Sequence, residues 1–122
     1  MNRVVTFLIT AKADAALSFY RDALGLKFIR DDGFALVFET DGVMLRIAKV
    51  KEFSPAMHTV LGWESENIAA TVDELAASGV DFTRYPSMEH DERGICTFPN
   101  GDKVAWFKDP DGNVLSISQH TA

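Results

Sequence analysis

The sequence is poor in cysteine and histidine. Its 122 residues include one cysteine and three histidines. The lone Cys96 excludes an internal disulfide and a metal site built from several cysteines, and it is typical of a protein kept in a reducing compartment. We therefore expect a cytoplasmic protein without disulfide bonds.

Basic residues and long apolar runs are also scarce. The chain has 12 Lys and Arg against 18 Asp and Glu, a formal net charge of −6. Nucleic-acid binding requires a basic face, so we expect no nucleic-acid partner. No apolar run approaches the roughly 18 residues of a membrane span, and the start at Met1-Asn2-Arg3 lacks the order of a signal peptide. We expect no membrane partner either.

The first half of the chain alternates between strand and helix patterns. Val4 to Ile9 is a continuous apolar run that predicts a strand buried on both faces. Residues 12–24 have helical spacing and are followed by Gly25, a typical helix C-cap. Further strands are predicted at Leu26 to Arg30, Phe34 to Glu39 and Val43 to Ile47. The last two are joined by Asp41-Gly42, which favours a type I′ hairpin.

The second half repeats this order. After an aperiodic segment with Pro55, a strand is predicted at Thr59 to Ser65, and Asn67 begins a helix that ends at Gly79. The remaining predicted strands are Val80 to Tyr85, Ile95 to Phe98, Val104 to Lys108 and Val114 to Ser118. The sequence predicts a duplication within one domain of residues 1–122: module 1 at about 1–52, a linker at about 50–57 and module 2 at about 57–122.

Two motifs carry a resemblance to a known family. The run Phe19 to Leu26 (FYRDALGL) resembles the F-Y-x-D-x-L-G-L signature of the vicinal oxygen chelate superfamily, and Asp109 to Asn113 (DPDGN) resembles its late turn. That superfamily includes glyoxalase I, extradiol dioxygenases and bleomycin-resistance proteins. The resemblance implies an α+β fold, in which two tandem βαβββ modules form a curled mixed sheet as glyoxalase-like half-barrels. It also implies a homodimer in which half-barrels pair across subunits.

The resemblance further implies four positions for metal ligands. In metal-binding members these are His, Gln or Glu, which supply the nitrogen or oxygen that a divalent cation needs. Here the four positions hold Val5, Arg46, Val60 and Ser116. We therefore expect no metal and no cofactor.

Four residues are candidate ligand-binding residues: Arg46, His58, Trp106 and Ser116. Arg46 lies in an apolar alternation and by the repeat faces the cavity, where its guanidinium would bind an anion. The alternative is an outward position or an ion pair with a structural Asp or Glu. His58 is either a cavity base or hydrogen-bond donor, or a solvated linker residue. Trp106 belongs to a group of aromatic residues that could line a pocket: Trp63, Trp106, Phe34, Phe38 and Phe98.

Other polar groups favour structural roles. His90 is predicted to be a solvated loop residue, His120 to lie at a frayed terminus, and Cys96 to be a buried inert thiol without a nearby histidine. The Asp109 to Asn113 segment is explained by turn geometry alone.

Three functions are open at this point. The first is a metal-free binding protein that captures a small molecule, anionic or planar aromatic, in a cavity at a dimer interface. The second is a metal-independent isomerase or lyase with Arg46 as oxyanion stabiliser and His58 as base. The third is a metal-dependent glyoxalase-like or dioxygenase enzyme, which the four ligand positions oppose.

Overall fold

A computed structural model describes residues 1–121. The chain divides into two compact units, Met1–Pro55 and Ala56–Ala122. Each unit has its own mixed sheet, which is curled and does not close on itself. The α+β class and the two βαβββ modules predicted above are confirmed.

The first unit begins with strand β1 (Val5–Thr10) and helix α1 (Ala13–Ser18), continues through a π-helical turn (Phe19–Ala23), and ends with β2 (Lys27–Asp31), β3 (Ala35–Thr40) and β4 (Val43–Lys49). The sheet order is β1-β4-β3-β2, and β1 runs parallel to β4 while the other pairs are antiparallel. The predicted helix over 12–24 is therefore only partly α-helical. Its last turn widens, because Leu24 N–H donates to the carbonyl of Phe19, five residues earlier, at 2.9 Å.

The β3–β4 hairpin has the predicted turn. Asp41 and Gly42 both have positive φ, 46° and 78°, as a type I′ turn requires.

The first unit's core lies on one face of its sheet. Leu36, Phe38, Leu45 and Ile47 are buried there, and Tyr20 packs against the ring of Phe38 with centroids 5.9 Å apart. The opposite face, which we call the Arg46 face, carries Val5, Phe7 and Ile9 of β1, Met44 and Arg46 of β4, and Val37 of β3. Phe7 is 66% exposed. The prediction that the first strand is buried on both faces is wrong, because it is the edge strand and its alternate side chains point away from the core.

The second unit repeats this topology. It contains β5 (Thr59–Glu64), α2 (Ile68–Ala77), β6 (Phe82–Thr83), β7 (Cys96–Thr97), β8 (Lys103–Lys108) and β9 (Val114–Gln119). The order is β5-β9-β8-β6, with β5 parallel to β9 and β7 also paired with β8. Asn67 is the predicted N-cap, since its side chain accepts the N–H of Ala70 at 3.1 Å.

The strands predicted at Val80 to Tyr85 and Ile95 to Phe98 are shorter than expected. β6 and β7 have two residues each and pair with successive parts of β8. The loop between them is held by its own polar contacts: Arg84 donates to the carbonyls of Asp91 and Glu92, at 2.8 and 2.7 Å. These contacts hold the loop away from β8, so the strand beside β8 is divided into the two short strands β6 and β7.

The second unit has a core face and an opposite face as well. Phe107, Leu115, Ile117 and Ala105 are buried on the core face, and Val72 of α2 is buried with them. The opposite face, here called the Trp106 face, carries Gly62, Ser116 and Trp106 side by side on β5, β9 and β8. Among residues 1–121, no helix combines the length and the apolar character needed to cross a membrane.

Candidate functional site

An open cleft of about 360 Å³ lies at one end of the second unit's sheet. It is lined by Met57, His58, Thr59, Tyr85, Ser87, Met88, Trp106 and Val114. We call it the Trp106 cleft. Its lining is aromatic, thioether and hydroxyl in character, and His58 is its only titratable group apart from the tyrosine phenol. Such a lining is suited to an uncharged planar molecule.

Trp106 is fixed in this cleft by three neighbours. Its indole N–H donates to Thr59 Oγ1 at 3.1 Å, while Tyr85 and Phe98 meet its ring edge-on, at centroid distances of 5.5 and 6.5 Å. These contacts restrict the indole to one orientation while leaving it half-buried. A ring held in this way can stack on a ligand with little loss of side-chain entropy.

The predicted ligand-binding residues are distributed over both units. His58 and Trp106 line the same cleft, with His58 exposed. Ser116 neighbours Trp106 in the ladder and is 8% exposed. Arg46 belongs to the first unit, on the Arg46 face, where its ladder neighbours are Phe7 and Val37.

The guanidinium of Arg46 has an internal partner. Its Nη2 donates to Asp32 Oδ2 at 2.5 Å, and both side chains are about three-quarters buried. The Arg46 guanidinium, helped by the backbone N–H groups of Phe34 and Ala35, holds the pKa of Asp32 well below its usual range. The alternative predicted from the sequence, an ion pair between Arg46 and a structural acidic residue, is therefore present. Asp32 already offsets the positive charge that an oxyanion role for Arg46 would use.

The four positions that the resemblance assigns to metal ligands do not fit a divalent cation. Val5 and Val60 are partly exposed aliphatic side chains, and Val60 lies where the β5–β9 register shifts. Arg46 is a cation, and Ser116 offers one neutral hydroxyl. Over residues 1–121, no three His, Cys, Asp or Glu side chains come together as a metal site. The donor chemistry that such an ion requires is missing from these positions.

His90 is not the solvated loop residue predicted above. It is half-buried, and Tyr85 N–H donates to its Nε2 at 2.9 Å. In the neutral ring the hydrogen is then on Nδ1, which donates to the Gly94 carbonyl at 2.8 Å. His90 therefore positions the loop that carries Tyr85 into the cleft.

Cys96 was expected to lack a nearby histidine, and this is wrong: its Sγ lies 3.2 Å from His90 Nδ1. The sulfur still behaves as a buried thiol, because burial raises the pKa of Cys96. His120 is also better anchored than predicted, with Ser118 Oγ at 2.9 Å and Asp102 Oδ2 at 3.2 Å from its ring nitrogens.

The Asp109 to Asn113 turn is structural, as predicted. The buried Asp109 carboxylate accepts the N–H groups of Asp111 and Asn113, both at 2.9 Å, and the Asn113 side-chain amide at 2.8 Å.

Sequence reasoning missed Tyr85, Met57 and Met88 as cleft residues. Tyr85 was assigned to the end of a strand, and the two methionines lie in segments without periodicity. Of the other aromatic candidates, Phe98 contacts Trp106, whereas Phe38 is fully buried and Phe34 is 81% exposed.

Comparison with known proteins agrees with this architecture. The family model of the Glyoxalase/Bleomycin resistance protein/Dioxygenase superfamily matches residues 1–117. No curated protein sequence matches the chain.

Similar solved structures include a Glyoxalase/bleomycin resistance protein/dioxygenase superfamily member from Sphaerobacter thermophilus, with 18% identity, 98% of each chain covered and a TM-score of 0.74. A glyoxalase/bleomycin resistance protein from Catenulispora acidiphila has 20% identity over 98% of this chain and 99% of its own, with a TM-score of 0.72. Lactoylglutathione lyase from Agrobacterium tumefaciens has 22% identity over 95% of this chain and 91% of its own, with a TM-score of 0.67. The chain belongs to the Glyoxalase/Bleomycin resistance protein/Dioxygenase superfamily.

Proposed function

We propose that this protein is a metal-free binding protein that captures an uncharged planar aromatic molecule in the Trp106 cleft. The observation that carries the proposal is the aromatic wall: Trp106 is held by Thr59, Tyr85 and Phe98 and faces a cleft large enough for one or two fused rings. Met57 and Met88 add polarisable side chains that adapt to different ring shapes. His58 is placed to hydrogen-bond a polar edge of the ligand.

The absence of a metal is the second part of the proposal, and the donor chemistry supports it. Neither valine can ligate a cation, and the Arg46 guanidinium is a donor that has no acceptor atom to offer one. The chemistry that superfamily members perform with a metal as Lewis acid would have no bound ion to polarise the substrate. Capture without turnover is the function that the remaining side chains support best.

A homodimer in the cytoplasm is the third part. Val4, Phe7 and Ile9, at and beside the β1 edge, are 66%, 66% and 37% exposed. A row of apolar side chains on an edge strand is a typical surface for a second copy. Light scattering after gel filtration would give twice the chain mass, and Phe7→Lys would return the mass to one chain. A single-chain mass for the unaltered protein would contradict the dimer.

Ligand capture is tested with 2-naphthol as the probe. Binding is followed by isothermal titration calorimetry and, independently, by the shift of the thermal midpoint. Trp106→Val keeps a strand-forming residue and removes the ring, so we expect at least about tenfold weaker binding, as the loss of about 1.4 kcal/mol implies. Phe34→Leu is the matched control, because Phe34 is an aromatic residue that is 81% exposed and does not line the cleft.

Two results would overturn the proposal. If Trp106→Val binds 2-naphthol as tightly as Phe34→Leu does, the aromatic wall is not the binding surface. If elemental analysis finds one divalent ion per chain that survives dialysis, the metal-free assignment is wrong.

A further inference from the structure

A second, smaller pocket lies on the Arg46 face of the first unit. Its volume is about 150 Å³. Its lining joins apolar and charged residues, including Ile29, Val37, Met44, Arg3, Arg30 and Glu39. We call it the Arg30 pocket. It shares no residue with the Trp106 cleft.

A β-bulge brings Arg30 to this pocket. In a regular strand, residues two apart share a face, so Arg30 would lie with Phe28 on the core face. The register shifts at Ile29: Phe28 pairs with Phe38, whereas Arg30 pairs with Val37. Since Phe38 and Val37 point to opposite faces of the sheet, the extra residue turns Arg30 onto the Arg46 face. Bulges of this kind commonly aim a side chain at a site.

Arg30 and Arg46 occupy matching positions on the two strands that flank β3, but in the described part of the chain only Arg46 has an acidic partner. Both neighbour Val37, one on each side. Arg46 is neutralised by Asp32, whereas within residues 1–121 Arg30 has no carboxylate partner. The five N–H donors of the Arg30 guanidinium are therefore available to a ligand or to water.

The surrounding charges favour an anion. Glu39 is the one acidic residue of the lining, and its carboxylate lies 3.7 Å from Arg3 and 3.8 Å from Lys27. Two cations, Arg3 and Lys27, therefore lie near this one carboxylate, and Arg30 adds a further cation to the lining, in a chain whose net charge is −6. This local excess of positive charge attracts negative ligands despite the acidic whole.

We propose that the Arg30 pocket binds a small organic monocarboxylate. The carboxylate forms two parallel hydrogen bonds with the fork of Arg30, the geometry for which guanidinium is suited. The apolar part of the acid lies against Ile29, Val37 and Met44. A volume of 150 Å³ is about five times the roughly 30 Å³ that one water occupies in the liquid, which suits a ring or a short chain. Because the two sites lie in different units, this site does not depend on the aromatic ligand proposed above.

Benzoate is the probe, titrated at constant ionic strength against chloride and inorganic phosphate. Binding is measured as ¹H–¹⁵N chemical-shift changes and as the shift of the thermal midpoint. We expect benzoate to bind more tightly than either inorganic anion, with shifts that include the backbone amides of Ile29 and Met44. Arg30→Gln should weaken benzoate binding at least about tenfold, since one charged hydrogen-bonded pair is lost.

Arg21→Gln is the matched control. Arg21 is exposed, pairs with its neighbour Asp22 and does not line the pocket. Arg21→Gln changes the net charge of the protein by the same amount as Arg30→Gln. It should bind benzoate like the unaltered protein. Arg3→Gln is the second pocket variant and should lose affinity by a smaller factor, because Arg3 already interacts with Glu39.

Three outcomes would overturn the proposal. Equal binding of benzoate, phosphate and chloride would mean that the apolar lining takes no part. Equal benzoate affinity of Arg30→Gln and Arg21→Gln would mean that only net charge matters. Shifts confined to Tyr85 and Trp106 would assign benzoate to the other cleft. If 2-naphthol does not bind, the three benzoate tests are unaffected, so the two proposals can be refuted independently.

Discussion

On the Trp106 face, Gly62 lies so close to Ser116 that an added side chain would collide with it, and this makes a sharp prediction. A Cβ atom added to Gly62 would lie 2.4 Å from Ser116 Oγ and 3.3 Å from the Ser116 carbonyl oxygen. The first distance is shorter than real Cβ contacts allow. Ser116 is only 8% exposed, so its hydroxyl has little free space into which to rotate. Gly62→Ala should therefore strain the β5–β9 pair.

The expected magnitude combines two opposing effects. A steric overlap with the buried Ser116 costs about 1–3 kcal/mol of the free energy of unfolding. Replacement of glycine by alanine restricts the unfolded chain and returns about 0.4–1 kcal/mol. We expect Gly62→Ala to lose about 1–2 kcal/mol, a decrease in thermal midpoint of roughly 4–8 °C for a chain of this size.

The assay is urea unfolding followed by far-UV circular dichroism, on Gly62→Ala, Ser116→Ala and the double variant. With Ser116 shortened, the nearest side-chain atom is its Cβ at 3.7 Å, an ordinary contact. The double variant should therefore recover at least about 1 kcal/mol relative to the sum of the two single changes. If Gly62→Ala is as stable as the unaltered protein, or the two effects simply add, the Oγ contact does not limit this position.

Three further predictions concern the two units separately. Asn67→Ala removes the cap of α2 and should cost about 1 kcal/mol in urea unfolding. Phe107→Ala empties a fully buried site and should cost about 3–5 kcal/mol, whereas Phe34→Ala, at an 81% exposed position, should change stability by less than about 0.5 kcal/mol. Acid should destabilise the first unit through Asp32. The Arg46 guanidinium lowers the pKa of Asp32 in the folded state, so the stabilisation is present above the unfolded value of about 3.9 and is lost as the pH falls below it. The urea midpoint should fall between pH 5 and pH 2 by a larger amount in the unaltered protein than in Arg46→Gln.

Each of these has a result that contradicts it. An unchanged urea midpoint for Asn67→Ala would mean that the cap is replaced by water at no cost. Equal losses at Phe107 and Phe34 would contradict the burial of the second core. Parallel acid profiles for the unaltered protein and Arg46→Gln would mean that Asp32 titrates independently of Arg46.

The fold was predictable because its signals are local. Gly25, Asp41-Gly42 and Asn67 act through their own backbone conformation or through a donor three residues away, and the structure uses all of them as expected. The internal duplication and the two family motifs then predicted the order of helices and strands in each unit. Burial of the first strand was mispredicted because composition does not distinguish an edge strand from a central one.

The site was less predictable because its decisive contacts are not local. The partner of Arg46 is Asp32, fourteen residues earlier, in a turn whose sequence is explained by the turn itself. His90 contacts Cys96 because the loop between β6 and β7 folds back on itself, with Arg84 donating to the carbonyl of Asp91. No periodicity reports such a contact, so the sequence left the ion pair of Arg46 open as an alternative and wrongly predicted a thiol without a nearby histidine.

The bulge at Ile29 has the widest consequence for function. Strict alternation along β2 assigns Arg30 to the core face, where an unpaired guanidinium would be costly. One extra residue reverses that assignment and gives the Arg46 face an available cation beside the neutralised Arg46. On the Trp106 face the equivalent central row is Gly62, Ser116 and Trp106, without a charge. The two proposals therefore assign different ligands to the two units of one duplicated topology: an anion with an apolar part to the first unit, and a neutral ring to the second.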